Sequence, residues 1–579
     1  MASESEGVLS PGHGTVPGGR GAAVAETAVI LLVFAASGAW PTPDVNETVY
    51  LTRALHFVEP TYGAGDWFLS TPDAHTIFYR LMGPILAACG LETGAWIGRW
   101  LGWLALAGGF RHAVAPLVPT AWGRLLAAGL FAIALRHTTA AGEWVIGGCE
   151  AKVFAWALVL PAIGEWARGR LASAVFLLGG ATALHPIVGG WGLVAVGLTW
   201  LRECISAEGE SIHLGRRAGG MSSLADTLAI LTPTRPPPRR ERTGLAFVGR
   251  SMDPALRGGL VVGGLALAAC GVVPLQGLSA GVDAAGRAAA NRIYVVERLP
   301  HHLLPGTFPE ALIARHLLAI LLGVIMHRIV PATPARTRVA AFRETALSIS
   351  LVGCLIAAAV PLAPDLAIGL LRFYWFRLAD VVVPFTLAAS AASLLVDDAA
   401  CRRALPGRPT MVRGLVCTAL LLDLCVQSWH WPLPGRAAIA SRADTKVNAA
   451  AWVDACGWVR DHVPAGSRFL TPRGAASFTW RTGLPEVVAW KNSPQDAASL
   501  LEWRRRITDC FSRDGTVADM ERSTAALGAD RMREVADRYA ADHAIVPLDV
   551  AGVDALPFER LYSNSAYGVF RLDPSPDSR

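Results

Sequence analysis

Lysine is nearly missing from this sequence. Of 52 basic residues only Lys152, Lys446 and Lys491 are lysines, and the rest are arginine. An arginine excess of that size reads as a general coding bias, so the three exceptions are the informative positions. Charge is scarce as well, at 17% of residues against 53% hydrophobic residues, where an ordinary soluble domain carries about 25% charged. That excludes a single soluble globular protein. The 10 cysteines form no CxxC pair and no Cys/His cluster at zinc spacing, which argues against a structural metal site. Cys456 and Cys510 form a bridge if their domain meets an oxidising compartment, or else stay two buried thiols. Serine-hydrolase, Walker and dinucleotide signatures are absent.

What charge there is lies unevenly. From Arg436 to Arg579 there are 19 Lys+Arg and 19 Asp+Glu, so a lipid-embedded body of residues 22–430 is followed by a water-soluble tail, 436–579, with its own core. The net charge of +6 does not point to nucleic acid, because basic residues confined to short loops between apolar runs mark membrane orientation. Residues 1–21 are Gly, Ser and Pro rich and read as a disordered leader. The run 22–40 is long enough for a first span, with a cleaved signal peptide as the competing reading.

Further apolar segments fall at 75–91, 94–110, 122–135, 151–166, 171–184, 186–201, 259–275, 311–329, 345–363, 366–396 and 412–429. Several are shorter than the roughly 20 residues a bilayer requires. The loops 202–257, 328–343 and 402–413 are Arg-rich and expected inside, whereas 41–75 carries Asp44, Glu47, Glu59, Asp66 and Asp73 against Arg53 alone and is expected outside. An outside first loop and an inside 202–257 loop need an odd number of crossings between them. One segment therefore fails to cross, expected within 94–135 or at the His185-Pro186 break. The total is then about 11 spans with an extracytoplasmic tail. "LTPTRPPPRRERTG" inside the 202–257 loop has the composition of a linker. In the tail, "SRFLTP", "SFTWRT", "EVVAWK", "DHAIVPL" and "AYGVFRL" read as strands, and "SPQDAASLLEWRRRITDCF" as a helix capped by Ser493. The alternation suggests a small layered α/β domain.

The stretch "PTPDVNETVYLTRALHFVEPTYGAGDWF" follows the first span directly, with an amphipathic helix from about Asn46 to Phe57 at the outer face. An acidic motif there, followed by many spans of unequal length, resembles the GT-C class of integral membrane glycosyltransferases. The resemblance implies an α-helical polytopic fold, a polyprenyl-phosphate-linked sugar donor, and a loop carboxylate that acts as base or metal ligand. A divalent cation thus stays open as cofactor. In "DVNETVY" Glu47 falls on the motif's Glu and Asn46 on its Asp, with Asp44 or Asp66 as the carboxylate to replace that Asp. Glu47, Asp44 and Asp66 are the catalytic candidates. "GEWVIGGCEAK", "RLPHHLLP" and "WVDACGWVRDHVPAGSRFLTP" further resemble a family of large uncharacterised bacterial membrane proteins with a C-terminal domain of unknown function. That implies a bacterial cytoplasmic-membrane location.

Ionisable groups at membrane depth are expensive enough to be functional candidates. Glu143, Glu150 and Lys152 stand at the mouth of an apolar helix, and a Glu150–Lys152 pair that fixes packing is the alternative. His301 and His302 lie in an outer loop, one of them placed to donate to a phosphate beside Arg298. Arg372 and Arg377 suit a lipid phosphate, since a guanidinium can bond two oxygens at once. Trp480, Trp490 and Lys491 in the tail suggest an aromatic shelf for a sugar, or core packing. The expected function is transfer of a sugar from a polyprenyl-phosphate donor at the outer face. A non-enzymatic envelope protein that binds a lipid-linked glycan or a protein partner is the second reading, and a transporter the third.

Overall fold

The computed structural model describes residues 19–217, 253–278, 281–434 and 439–572. The leader up to residue 18 and the Pro/Arg-rich stretch of the 202–257 loop lie outside the described residues. The described chain is mostly helical, with one small sheet near its end. Among the described residues seven helices are long and apolar enough to cross a membrane: Arg20–Gly38, Thr76–Val114, Pro254–Leu275, Glu310–Ile329, Pro334–Ala358, Arg377–Val396 and Pro409–Ser428. Leucines such as Leu318, Leu351 and Leu421 stand exposed on them, as the lipid-facing side of an integral membrane protein requires. Inside, Phe34, Phe110, Phe131 and Phe385 meet from four helices, with ring centroids 5.1 Å apart for Phe110 and Phe131 and 5.9 Å for Phe110 and Phe385.

The helix Thr76–Val114 is not one rod. Gly90 has φ 76° and ψ 167°, a conformation open to glycine alone, and the chain reverses there. A Cβ on Gly94 would lie 2.6 Å from Leu86 Cδ2, and one on Gly98 would lie 2.8 Å from Met82 Cε. In a straight helix residues eight apart are separated by roughly 12 Å. Residues 76–89 and 91–114 are therefore the arms of a hairpin. The apolar segments 75–91 and 94–110 are thus the two arms of one hairpin that reverses at Gly90. His185-Pro186 is instead the break between Leu171–Leu184 and Pro186–Arg217. The expected single segment 366–396 is also broken, into Pro364–Leu371 and Arg377–Val396, with Tyr374 between them at φ 56°.

The tail forms a four-stranded sheet in the order β1-β2-β4-β3, from β1 Phe469–Leu470, β2 His543–Pro547, β3 Glu559–Ser563 and β4 Tyr567–Arg571. β1 runs parallel to β2, and the other pairs are antiparallel. Alternation along β2 sorts two cores. Ile545 packs with Trp452, Cys456 and Val459 of helix Ala449–His462 on one face, while Ala544 and Val546 pack with Leu500, Trp503, Cys510 and Val535 on the other. Cys456 and Cys510 thus lie on opposite sides of the sheet as free, buried thiols.

Two expected strands do not form. "SFTWRT" is the short helix Phe478–Thr482, ended by Gly483 at φ 71°, and "EVVAWK" makes a single bridge from Glu486 to Phe469 before bending. Asp496 rather than Ser493 caps helix Ala497–Phe511, accepting from Ser499 N at 2.9 Å. β3 carries little apolar alternation and was not anticipated.

Glycines set how closely two of the bundle helices approach. A Cβ on Gly179 of Leu171–Leu184 would lie 2.0 Å from the Gly264 carbonyl of Pro254–Gly277. Gly179→Ala should therefore force the pair apart and destabilise the protein by about 1–3 kcal/mol. The readout is a lowered thermal unfolding midpoint in bilayer nanodiscs, and an unchanged midpoint would contradict so close a packing.

Candidate functional site

At one end of the bundle, under the tail, lies a cavity of about 460 Å³. It is built from Asn46 and Tyr50 of helix Glu47–Val58 and its cap, Asp73 and His75 ahead of the hairpin, and the irregular segment 143–150. The His185-Pro186 break, residues 291–302, the 372–377 turn and residues 491–495 of the tail close it. All seven residues expected to bind substrate line it: Glu143, Glu150, Lys152, His301, His302, Arg372 and Arg377. The segment 143–150 stays non-helical because it wraps the first loop, and a Cβ on Gly148 would lie 2.7 Å from Asp44 Cβ.

The carboxylates in this cavity are all engaged. Glu143 Oε2 pairs with Arg377 Nε at 3.0 Å and lies 3.9 Å from Lys152 Nζ. Glu150 accepts from Asn46 Nδ2 at 3.0 Å and Trp144 Nε1 at 3.1 Å, with Lys152 at 3.5 Å. Asp73 accepts from the ring Nδ1 of His75 at 2.7 Å and lies 3.6 Å from Arg53. Burial works against the charge on Asp73, but His75 and then Arg53 outweigh it and hold the carboxyl far below its usual range.

Three cations remain. Among the described residues Arg298, Arg372 and Lys491 have no carboxylate partner. Arg298 donates to the Lys491 carbonyl at 3.2 Å, and its buried Nε has no hydrogen bond. Arg372 donates to Asn291 Oδ1 at 3.0 Å and to the Gln495 carbonyl. Burial, then the Arg298 charge, push the Lys491 ammonium down to about 7. Burial similarly pushes His302 down to about 3, so it faces the cavity as a neutral ring with Nδ1 2.5 Å from the Ala141 carbonyl. The wall is thus net positive.

The three residues expected to be catalytic are elsewhere. Glu47 has no exposure; it takes Arg99 Nε at 2.7 Å and Nη2 at 2.6 Å, the Cys149 amide at 2.7 Å and the Asp44 amide at 2.7 Å. Its acceptor positions are filled. Asp44 pairs with Arg442, whose Nε lies 2.6 Å away. Burial opposes its charge, and Arg442 outweighs burial, so its carboxyl is held below the usual range. Asp66 accepts the amides of Leu69 at 3.0 Å and Glu486 at 3.1 Å, and burial raises its pKa. None of the three lines the cavity; they pin the first loop to the bundle and the tail.

In their place the structure offers a dyad that sequence reasoning passed over. Asp73 accepts from Nδ1 of His75, and among the described residues nothing hydrogen-bonds to Nε2. The Gln495 side-chain amide lies 3.4 Å from Nδ1 of that imidazole while its backbone carbonyl takes Arg372, so imidazole and guanidinium share a corner. The signal was an Asp-x-His spacing directly before an apolar segment. Lys491 had a stronger one, as one of three lysines.

Residues 450–510 match a family model described as a domain of unknown function, DUF6798. No curated protein matches the chain. Among solved structures, the crystal structure of ArnT from Cupriavidus metallidurans bound to undecaprenyl phosphate is similar over 95% of this chain and 97% of that one. The identity is 13% and the TM-score 0.41. A divalent cation has no ready place, because among the described residues no three His, Cys, Asp or Glu side chains converge and each cavity carboxylate already has a cationic partner.

Glu47→Gln leaves the Arg99 guanidinium buried without its counter-charge, which should cost about 3–5 kcal/mol, and Arg99→Met in the same chain should recover part of the lost thermal midpoint. Equal midpoints for wild type and Glu47→Gln would restore Glu47 as a functional rather than a pinning residue. Glu486, which accepts from Thr471 at 2.7 Å and Asn492 at 3.0 Å, is pushed up to about 8 by burial and then by Asp66. A carboxyl raised in the folded state contributes stability at low pH that is lost as pH rises through that value. The midpoint should therefore fall as pH rises from about 4.5, the ordinary value, to about 8 and level off above that, and Glu486→Gln should flatten the fall.

Proposed function

We propose that this protein is a membrane-embedded glycosyltransferase that takes its sugar from a polyprenyl-phosphate donor. The supporting observation is that one cavity joins an uncompensated cationic wall, Arg298, Arg372 and Lys491, to an apolar edge of Val49, Ile187, Leu275, Leu278, Leu299 and Phe373. A phosphate on an apolar tail meets both halves. The Arg-rich loops 328–343 and 402–413 are at the other end of the bundle, so by the positive-inside rule the cavity and the tail face away from the cytoplasm.

In this reading the acceptor hydroxyl attacks the anomeric carbon and its proton passes to His75 Nε2. The bond from that carbon to the phosphate oxygen breaks, and its electron pair leaves on the phosphate. Asp73 holds the imidazole in the required tautomer, while Arg372 and Arg298 stabilise the charge that develops on the leaving group. A second reading, a protein that binds the lipid-linked glycan without turnover, is favoured by one observation: no cavity carboxylate is free to act as a base.

Full-length protein in nanodiscs, supplied with a panel of polyprenyl-phosphate sugars and acceptors, separates the two. The expected result is sugar transfer that His75→Gln slows by about 10²–10⁴-fold with donor binding retained, and that Arg372→Ala weakens through donor affinity. Donor binding without transfer would establish the binding protein. A failure to bind polyprenyl phosphate at all would sink both.

A further inference from the structure

A second cavity, of about 1060 Å³, lies against the first. It is bounded by residues 442–448 near the start of the tail, by residues 297–301, and by the tail's loops at 472–476, 547–549 and 565–567. Arg298, His301 and Lys491 line both cavities, so one wall separates them.

The charge here is again one-sided. Glu297 is taken by Arg504 at 2.9 Å, Asp549 by Arg522 at 2.7 Å, and Arg442 by Asp44. Among the described residues that leaves Arg298, Lys446, Arg473 and Lys491 without a carboxylate. Arg473 Nε donates only to the Glu521 carbonyl, at 3.1 Å. Arg298 is 8% exposed and keeps an unpartnered Nε. A buried guanidinium with an idle donor is costly unless a ligand completes it. Neutral groups of the kind that meet sugar hydroxyls, Asn448 and Tyr567, share the chamber with the ring of Trp490.

Lysine usage points the same way. Lys152 lines the first cavity, Lys446 the second and Lys491 both, so every lysine of an arginine-rich chain faces this pair of chambers. A rotatable ammonium on a flexible stem follows anions whose position varies, which a planar guanidinium fork does less well.

We propose that the second cavity is the acceptor site and that its ligand is an acidic glycan, a hydroxyl-rich chain bearing carboxylates or phosphates that approaches from water. The assignment rests on reading the first cavity as the donor site, with the shared wall as the place where the two substrates meet. The low pKa of Lys491 fits a lysine that becomes fully charged when an anion reaches it.

The test is titration of the full-length protein, in nanodiscs of zwitterionic lipid, with an oligogalacturonate, a phosphorylated mannose oligosaccharide and neutral maltoheptaose. Both acidic probes should bind at least about tenfold more tightly than the neutral one. Lys446→Ala, on an exposed side chain, and Arg473→Gln should each weaken acidic-probe binding by about tenfold while polyprenyl-phosphate binding stays as in wild type. A preference for only one acidic probe upholds the site and names its anion. Equal binding of neutral and acidic probes, or acidic binding untouched by both substitutions, overturns the proposal. Acidic-probe binding lost in these variants alongside no polyprenyl-phosphate binding by wild type would keep the anionic site and overturn the donor reading instead.

Discussion

The ion pair between Glu47 and Arg99 holds the first loop against the bundle, and the cavity's geometry depends on it. Both side chains have no exposure, so the pair is stable only because every lone pair of Glu47 is filled, by two guanidinium donors and two backbone amides. The Cys149 amide ties the 143–150 segment to the loop, and Arg99 also donates to the Trp40 carbonyl at the end of the first helix. With Glu47 turned into this knot, its neighbour Asn46 is turned toward Glu150 and the cavity. Glu47, the carboxylate that the resemblance singles out, is held in this knot, and the Asn46 amide beside it lines the cavity.

The tail is a roof fastened along several seams. Tyr62 donates to the Thr479 carbonyl at 2.5 Å, Gly63 to the Gly483 carbonyl at 3.1 Å, and Arg468 to the Gly65 carbonyl at 3.0 Å. On the other side Ala497 donates to the Leu278 carbonyl at 2.8 Å and Arg504 pairs with Glu297. The seams consist largely of hydrogen bonds and buried polar pairs, which makes the roof precise in position yet open to pH through Glu486 and Asp66. That combination suits a domain that completes a site from above.

How much of this was legible follows from the physics of each signal. Glu143, Glu150, Lys152, Arg372 and Arg377 were identifiable because a charge near apolar helices needs a partner or a task, and the cavity lining gathers them. The fate of Glu47 was not identifiable. Two adjacent residues at a helix start face different ways, and only the partner 52 residues on, Arg99, decides which one is buried. Residues 76–89 have the composition of a span and reverse because of one backbone angle at Gly90. Asp73 and His75 escaped notice because a two-residue spacing in a loop carries no periodicity. In the tail, "SFTWRT" has strand-like residues yet forms a turn of helix, since tertiary packing around Phe478 overrides so weak a local preference.

The excess of cations over free anions is the observation that constrains function most tightly. A protein can bury an ion pair at little net benefit, and this chain does so repeatedly, with Glu143, Glu150 and Asp73. If packing were the sole demand on the region, the same solution was open to Arg298, Arg372 and Lys491, which lie within the same walls. Leaving them uncompensated costs stability, most plainly at the idle Nε of Arg298 and at a lysine driven toward neutrality. A fold that carries this cost fits the proposed anionic ligands, and Arg298 and Lys491, on the wall shared by the two chambers, could meet an anion from either side.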